Sequence, residues 1–280
     1  MKTFTLSTLA LALAAAVLAP VAHADDERST KGVYVGLDGF VGDPTNSYIR
    51  VARDQDRGDT LRLRKDIGVE VAWEARAVAG YRLDSDQRIQ LDVSSIFLYG
   101  RKNIGASSSP HFGGHALQPN SELEARPIWL APELRYERIL FRWGPEQDGK
   151  LAVNVGLRAD LIQWDFTTFS AVGSSTDSEG SEDFWAKPIV LPVIGVSVTQ
   201  PILRKLDAYG FARGMRANHW PNFAFAKEGG RVYDSESFVE AGAGLIYRVN
   251  GHIDVMAGYR FLYIDYAQTS DRDGNYLKLS

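Results

Sequence analysis

Glu70-Val71-Ala72-Trp73-Glu74-Ala75-Arg76-Ala77-Val78-Ala79-Gly80-Tyr81-Arg82-Leu83 alternates with a period of two. A strand turns successive side chains to opposite faces. Val71, Trp73, Ala75, Ala77, Ala79, Tyr81 and Leu83 therefore share one apolar face, and Glu70, Glu74, Arg76 and Arg82 share the other. A soluble sandwich and a membrane barrel both build strands with unlike faces. What separates them is how long the strands run and how the connections between them are sorted.

The same pattern recurs outward from this stretch. Leu151, Val153, Val155, Leu157, Ala159 and Leu161 oppose Asn154, Arg158 and Asp160. Ile253, Val255, Ala257, Tyr259, Phe261 and Tyr263 oppose Asp254 and Arg260, and Ile128, Leu130, Leu134 and Tyr136 oppose Glu133, Arg135 and Glu137. Val239, Ala241, Ala243, Leu245 and Tyr247 oppose Glu240 and Arg248, while Ile89, Leu91, Val93 and Phe97 oppose Gln90, Asp92 and Ser94. These runs exceed the roughly 5 or 6 residues usual for sandwich strands. They suit a tilted bilayer crossing, which takes about 9 to 11 residues and some extension. Aromatic residues gather near the strand ends, among them Tyr81, Tyr99, Tyr136, Phe141, Trp143, Trp164, Trp185, Trp220, Tyr247 and Tyr263, as interfacial girdles do.

Tight turns are expected near 84–87, 144–149, 201–205 and 250–251, and long polar segments at 43–69, 101–121, 166–183, 220–232 and from 269 onward. Short turns at one end and long loops at the other are the outer-membrane arrangement. Nine strands are expected, at 32–42, 70–83, 88–100, 122–141, 149–165, 184–199, 205–217, 233–249 and 252–268. Such barrels are even-numbered, so Tyr276 to Ser280 is expected to begin a tenth, cut short, unless a strand hides in Tyr48 to Arg64. Two segments fit poorly. Pro188 and Pro192 each remove a ladder donor, and 205–217 shows no clearly apolar face.

The chain opens with Lys2, an apolar run from Phe4 to Leu18, then Pro20 and Ala22-His23-Ala24 before Asp25. That is the form of a secretory signal peptide cleaved after Ala24. Residues 25–280 then make one barrel of about 10 antiparallel strands, all-β. Cysteine is absent, so stability is expected from packing and pairing alone. A net charge of −4 with both signs scattered offers no basic face for nucleic acid.

Val33-Tyr34-Val35-Gly36-Leu37, Gly58-Asp59-Thr60-Leu61-Arg62-Leu63 with Asp66-Ile67-Gly68, and the strand motifs Tyr81-Arg82-Leu83 and Tyr259-Arg260-Phe261 resemble outer-membrane β-barrel proteins of proteobacteria. The resemblance spans most of the mature chain. It implies the outer membrane of a Gram-negative cell as location, with outer-membrane lipid, lipopolysaccharide and the barrel assembly machinery as partners. Those proteins end on a strand that the machinery recognises, closed by an aromatic residue, and the present ending departs from that pattern.

The inward charges expected to line the lumen are Asp38, Glu74, Arg76, Arg82, Asp92, Glu133, Arg135, Glu137, Arg158, Asp160, Lys187, Glu240, Arg248, Asp254 and Arg260. Mixed signs at close range pair and fill a narrow barrel, whereas a selective pore favours one sign. The expected role is therefore structural or interactive, without catalysis, and a narrow porin-like channel is the alternative. A lipid-modifying hydrolase would need a serine, a histidine and an acid. His111, His115 and Ser107 to Ser109 supply the residue types, but in a glycine-rich loop. Asp271-Arg272-Asp273-Gly274-Asn275 lacks the distant glutamate of a calcium loop. The acidic run 177–183 reads as a solvated loop, and no metal or cofactor motif is present. A soluble periplasmic sandwich would fractionate without detergent.

Overall fold

A computed structural model describes residues 31–52, 58–105, 110–112, 115–116, 119–145, 148–170, 181–186, 190–221, 233–250, 253–269 and 274–279. The signal peptide expected at 1–24 lies outside them. In chain order the elements are β1 (Gly32–Gly42), β2 (Tyr48–Ala52), β3 (Leu61–Arg62), a π-helical turn (Leu63–Ile67), β4 (Ala72–Arg82), β5 (Gln87–Leu98) and β6 (Gly100–Asn103). There follow β7 (His111–Phe112), β8 (His115–Ala116), β9 (Ser121–Trp143), β10 (Gly149–Ala159), β11 (Leu161–Ser170), β12 (Ser181–Ala186) and β13 (Val190–Leu203). The chain closes with β14 (Leu206–Pro221), β15 (Tyr233–Arg248), β16 (Asp254–Thr269) and β17 (Gly274–Leu279).

One antiparallel sheet holds almost all of these, in the order β1-β4-β5-β9-β10-β13-β14-β15-β16-β17-β2-β3. Since β2 follows β1 in the chain, the pairing of β17 with β2 brings the sheet round to its own beginning. The result is an all-β antiparallel transmembrane barrel of ten staves. They are β1 with β2, β4, β5 with β6, β9, β10 with β11, β12 with β13, β14, β15, β16 and β17. The segment beginning at Tyr276 does make the tenth. The strand suspected between Tyr48 and Arg64 exists as β2, but it lengthens the first stave and adds none.

At the end of the barrel holding Gly32, the connections are the short ones: Leu83–Asp86, Gly144–Asp148, Arg204–Lys205 and Val249–Ile253. We call this the lower end. Long connections stand at the upper end with one correction, because β16 and β17 are joined by residues 270–273 alone. The fifth long loop expected from 269 onward is a strand instead. Pro192 faces Leu157 within the β10–β13 ladder and stands above Ile194, the last residue of β13 paired to β14. A residue without an N–H is tolerated where the ladder on one side has already stopped. Pro188 lies outside the described residues.

The predicted faces hold. Val71, Trp73, Ile89, Leu91, Ile128, Leu134, Val155, Leu157, Val239 and Leu245 lie outside and exposed, while Asp92, Glu133, Arg135, Asn154, Arg158, Asp160 and Glu240 are buried within. A wall of exposed aliphatic side chains around a charged interior reverses the soluble pattern and matches hydrocarbon outside. Tyr81, Phe141 and Tyr247 stand exposed near the lower rim, and Trp73 and Tyr99 near the upper. No helix among the described residues is long and apolar enough to cross a membrane, which leaves the crossing to strands.

Candidate functional site

The barrel interior is built in two layers, and β9 shows both on one face. Glu133, Arg135 and Glu137 are buried in its lower half; Leu123, Ala125, Trp129 and Ala131 are buried in its upper half. The inward charges expected on β9, Glu133, Arg135 and Glu137, lie in the lower layer, and the apolar layer above them is one that the sequence expectations did not include.

The lower layer is a web of ion pairs reaching across the lumen. Arg213 on β14 lies 2.7 Å from Glu133 on β9 and 2.5 Å from Glu240 on β15. Glu240 is also 3.6 Å from Arg260 on β16 and 3.9 Å from Arg76 on β4. Arg76 continues to Asp38 on β1 and Asp92 on β5, each at 3.7 Å, and Asp92 meets Arg135 at 2.7 Å. Arg158 sits between Asp160 at 2.8 Å and Glu133 at 3.9 Å, and Arg260 closes the web on Glu74. Nearer the lower rim, Arg88 pairs with Glu137 at 2.7 Å and Arg248 with Asp207 at 2.5 Å. Tyr34 donates to Gln90 Oε1 at 2.9 Å, and Gln90 donates in turn to Asp92. Such pairs add little net stability, but an unpartnered charge here would cost several kcal/mol.

The upper layer is apolar and caps the web. Phe238 lies between them, with the guanidinium of Arg158 4.3 Å from its ring centre. Above it Ile96, Leu98, Leu123, Trp129, Ile162, Ile264, Tyr266, Leu277 and Leu279 converge with Ile49, Leu61, Leu63, Ile67 and Val69. Ile49 belongs to β2 of the first stave, and the last four come from the connection after it, so that connection folds over the lumen as a plug. Its ends are fixed by glycine. Gly58 and Gly68 hold φ of +57° and +80°, and a Cβ on Gly68 would meet the Arg101 carbonyl oxygen at 2.6 Å. Asp59 N–H donates to the His111 carbonyl at 2.7 Å, and His111 N–H donates to Asp59 Oδ2 at 2.8 Å, which ties the plug to the β7–β8 hairpin. Trp129 donates its indole N–H to Asp160 at 2.7 Å, and Tyr266 donates its hydroxyl to Asp234 at 3.1 Å, so these two aromatic donors at the boundary have partners.

Of the residues expected in the lumen, Asp38, Glu74, Arg76, Asp92, Glu133, Arg135, Glu137, Arg158, Asp160, Glu240, Arg248 and Arg260 all enter buried or part-buried pairs. Arg82 and Asp254 do not. Both are exposed, each at the lower tip of its strand where the inward face has left the lumen. Lys187 lies outside the described residues. Arg213, a hub of the web, was missed because the outward face of β14 is built of small residues, Ala208, Gly210, Ala212 and Gly214, and its period is faint. Asp207, Asp234 and Glu236 are buried too and went unflagged.

Asp59 meets the His111 backbone, donating its N–H to the His111 carbonyl and accepting from the His111 N–H. Ser107 to Ser109 and the side chain of His115 lie outside the described residues, as do Asp271 to Asp273 and residues 177–180. No cluster able to hold a metal ion occurs among the described residues. On the outer wall, Val71, Trp73, Phe97 and Tyr99 line an open groove of about 440 Å³ below Glu70 and Arg101, at the level of the upper aromatic residues.

No protein-family model matches the chain, and no curated protein does. Among solved structures, the translocator domain of autotransporter NalP from Neisseria meningitidis is similar at 14% identity and a TM-score of 0.32, covering 97% of this chain and 93% of that one. The fold assignment stands on the chain's own ladders and faces.

Proposed function

We propose that this protein is a non-catalytic outer-membrane barrel of a Gram-negative cell whose lumen is closed, so that it acts through its wall and its upper loops in a structural or surface-interaction role. The observation that carries this reading is the filled interior. A web joining β1, β4, β5, β9, β10, β14, β15 and β16 occupies the lower lumen, and the plug from the first upper connection covers it. Conduction needs a continuous wet path with sites weak enough to release an ion, and buried bidentate pairs supply neither. Outer-membrane lipid and lipopolysaccharide are the partners of the wall, and the barrel assembly machinery is the partner in insertion. No cofactor is needed for this role.

The test is planar-bilayer recording of the refolded full chain after heat-modifiable gel migration has shown a folded barrel. Silence is expected. Steady single-channel steps would replace this reading with that of a narrow channel for small solutes. A change in lipid A pattern on replacing His111 or His115 would replace it with a hydrolase.

A further inference from the structure

The lower mouth of the barrel gathers positive charge on its inner face. Arg82 ends β4, Arg88 lies at the start of β5, Arg142 and Lys150 stand on either side of the β9–β10 turn, and Arg248 ends β15. The ladders set two couples of these directly opposite one another, Arg82 against Arg88 and Arg142 against Lys150. Like charges so placed destabilise a sheet. β4, β5 and β10 are paired on both sides at these residues, so the register fixes the gathering.

Three of these cations are answered by carboxylates. Arg88 meets Glu137 at 2.7 Å, Arg142 meets Asp86 at 2.8 Å and Arg248 meets Asp207 at 2.5 Å. The side chains of Lys150 and Arg82 have no such partner among the described residues. Lys150 is part-buried, and Arg142, Arg248 and Arg82 all stand near enough to repel it, while Asp148 attracts it less than any of them repels. Asp84 is taken up by its own turn, accepting from the Asp86 N–H at 2.8 Å and from Gln87 at 2.6 Å, and Asp254 is exposed opposite Arg248. Water reaches the cations: the side chains of Arg88, Arg142 and Arg248 are 41%, 26% and 39% exposed, whereas Gln90, Glu137 and Asn154 above them are buried. The mouth is thus a shallow cup, cationic at its rim and floored by the ion-pair web.

We propose that the lower mouth binds a small phosphate-bearing solute, seated between Lys150 and Arg82 with Arg142 beside them. Two unanswered cations call for a dianion. A phosphate group carries close to two charges at neutral pH and offers its oxygens both to the arginine fork and to the lysine point charge. A monocarboxylate would answer one cation and leave the other. The exposed Tyr81, Phe141 and Tyr247 ring the outside of the wall at this level, so the cup opens to water and is screened from lipid. The site rests on the membrane-barrel reading only for the compartment in which the ligand is met, the periplasm; the binding itself is read in detergent and stands or falls apart from that reading.

Calorimetric titration of the full chain, refolded in neutral detergent, with inorganic phosphate tests this at an ionic strength of about 0.15 M, where long-range attraction is screened. Heat-modifiable migration shows that each variant is folded. Saturable binding at one site is expected, weakened about tenfold or more by Lys150→Met and by Arg82→Met and unchanged by Lys102→Met at the upper end. In the unsubstituted chain, phosphate should also slow acetylation of Lys150, read by mass spectrometry, and leave Lys102 unaffected. Absence of saturable binding would overturn the proposal, as would binding that survives both lower variants or falls equally in Lys102→Met. Equal affinity for succinate would deny the phosphate its place, and displacement of phosphate by phosphatidylglycerol added to the micelles would give the mouth to a lipid headgroup.

Discussion

Arg213 shows how a single charge closes the lumen. Its guanidinium bridges Glu133 and Glu240, both about 1% exposed, and among the described residues no other cation approaches both so closely. Removing one partner of a buried pair leaves its mate uncompensated, at roughly 3–5 kcal/mol. Arg213→Met is therefore expected to lower unfolding stability by about that much in urea titrations in detergent, whereas Arg82→Met, at the exposed tip of β4, changes it by less than about 0.5 kcal/mol. Equal effects of the two would contradict the assigned roles. At the upper rim, outside the apolar band, Asp43 illustrates the opposite case of a solvated carboxylate. The Thr45 hydroxyl, hydrogen-bonded to it, and Arg64, 3.0 Å away, hold its pKa below the usual carboxylate range. Since the folded value lies below the unfolded one, the stabilisation is present above the unfolded pKa and is lost as pH falls through the folded value. Thr45→Ala should raise the Asp43 titration midpoint read by carboxyl NMR shifts, and an unmoved midpoint would remove the hydroxyl as its cause.

At the scale of the element, the plug is the part that the sequence concealed. Its glycines mark where it is pinned: Gly68 in the left-handed region has no room for a methyl against the Arg101 carbonyl. Gly68→Ala must distort that contact and adopt a backbone conformation costing about 1–2 kcal/mol. We expect faster proteolysis of residues 58–71 with the heat-modifiable barrel retained; loss of the barrel itself would mean the plug nucleates the wall. The strands of the wall make a complementary prediction. Leu134→Arg, on the outward face of β9, should cost about 2–4 kcal/mol of folding into vesicles if it lies near the bilayer midplane. Tolerance of that arginine would deny the face its lipid. The strands were legible because a two-residue period with unlike faces survives in any single segment, as in Val71 to Tyr81. The plug was not, because Leu61, Leu63, Ile67 and Val69 pack by tertiary contact in an irregular turn with no period to read. Arg213 hid for a related reason: the outward face of β14 is Ala208, Gly210, Ala212 and Gly214, with no bulky apolar residue to set against the inward face where Arg213 stands with Tyr209 and Phe211. The upper apolar layer escaped notice because Trp129 shares its face with Glu133, and only their heights in the barrel separate them.

For the whole molecule, the even stave count and the sorting of short and long connections answer one requirement, that backbone donors crossing hydrocarbon find partners within the sheet, which the described strands meet except along the facing edges of β1 and the lower half of β16. The alternation along each strand then decides two things together, lipid outside and a filled lumen inside. Spin-label accessibility in vesicles reads both in one measurement. Labels at Leu134, Val155, Leu157 and Leu245 report the wall; labels at Ser94 and Asn154 report the lumen. We expect the outward sites to be open to oxygen and closed to a water-soluble nickel complex, and the inward sites closed to both. Nickel access at the outward sites would contradict the membrane barrel, and nickel access at Ser94 and Asn154 alone would contradict the closed lumen.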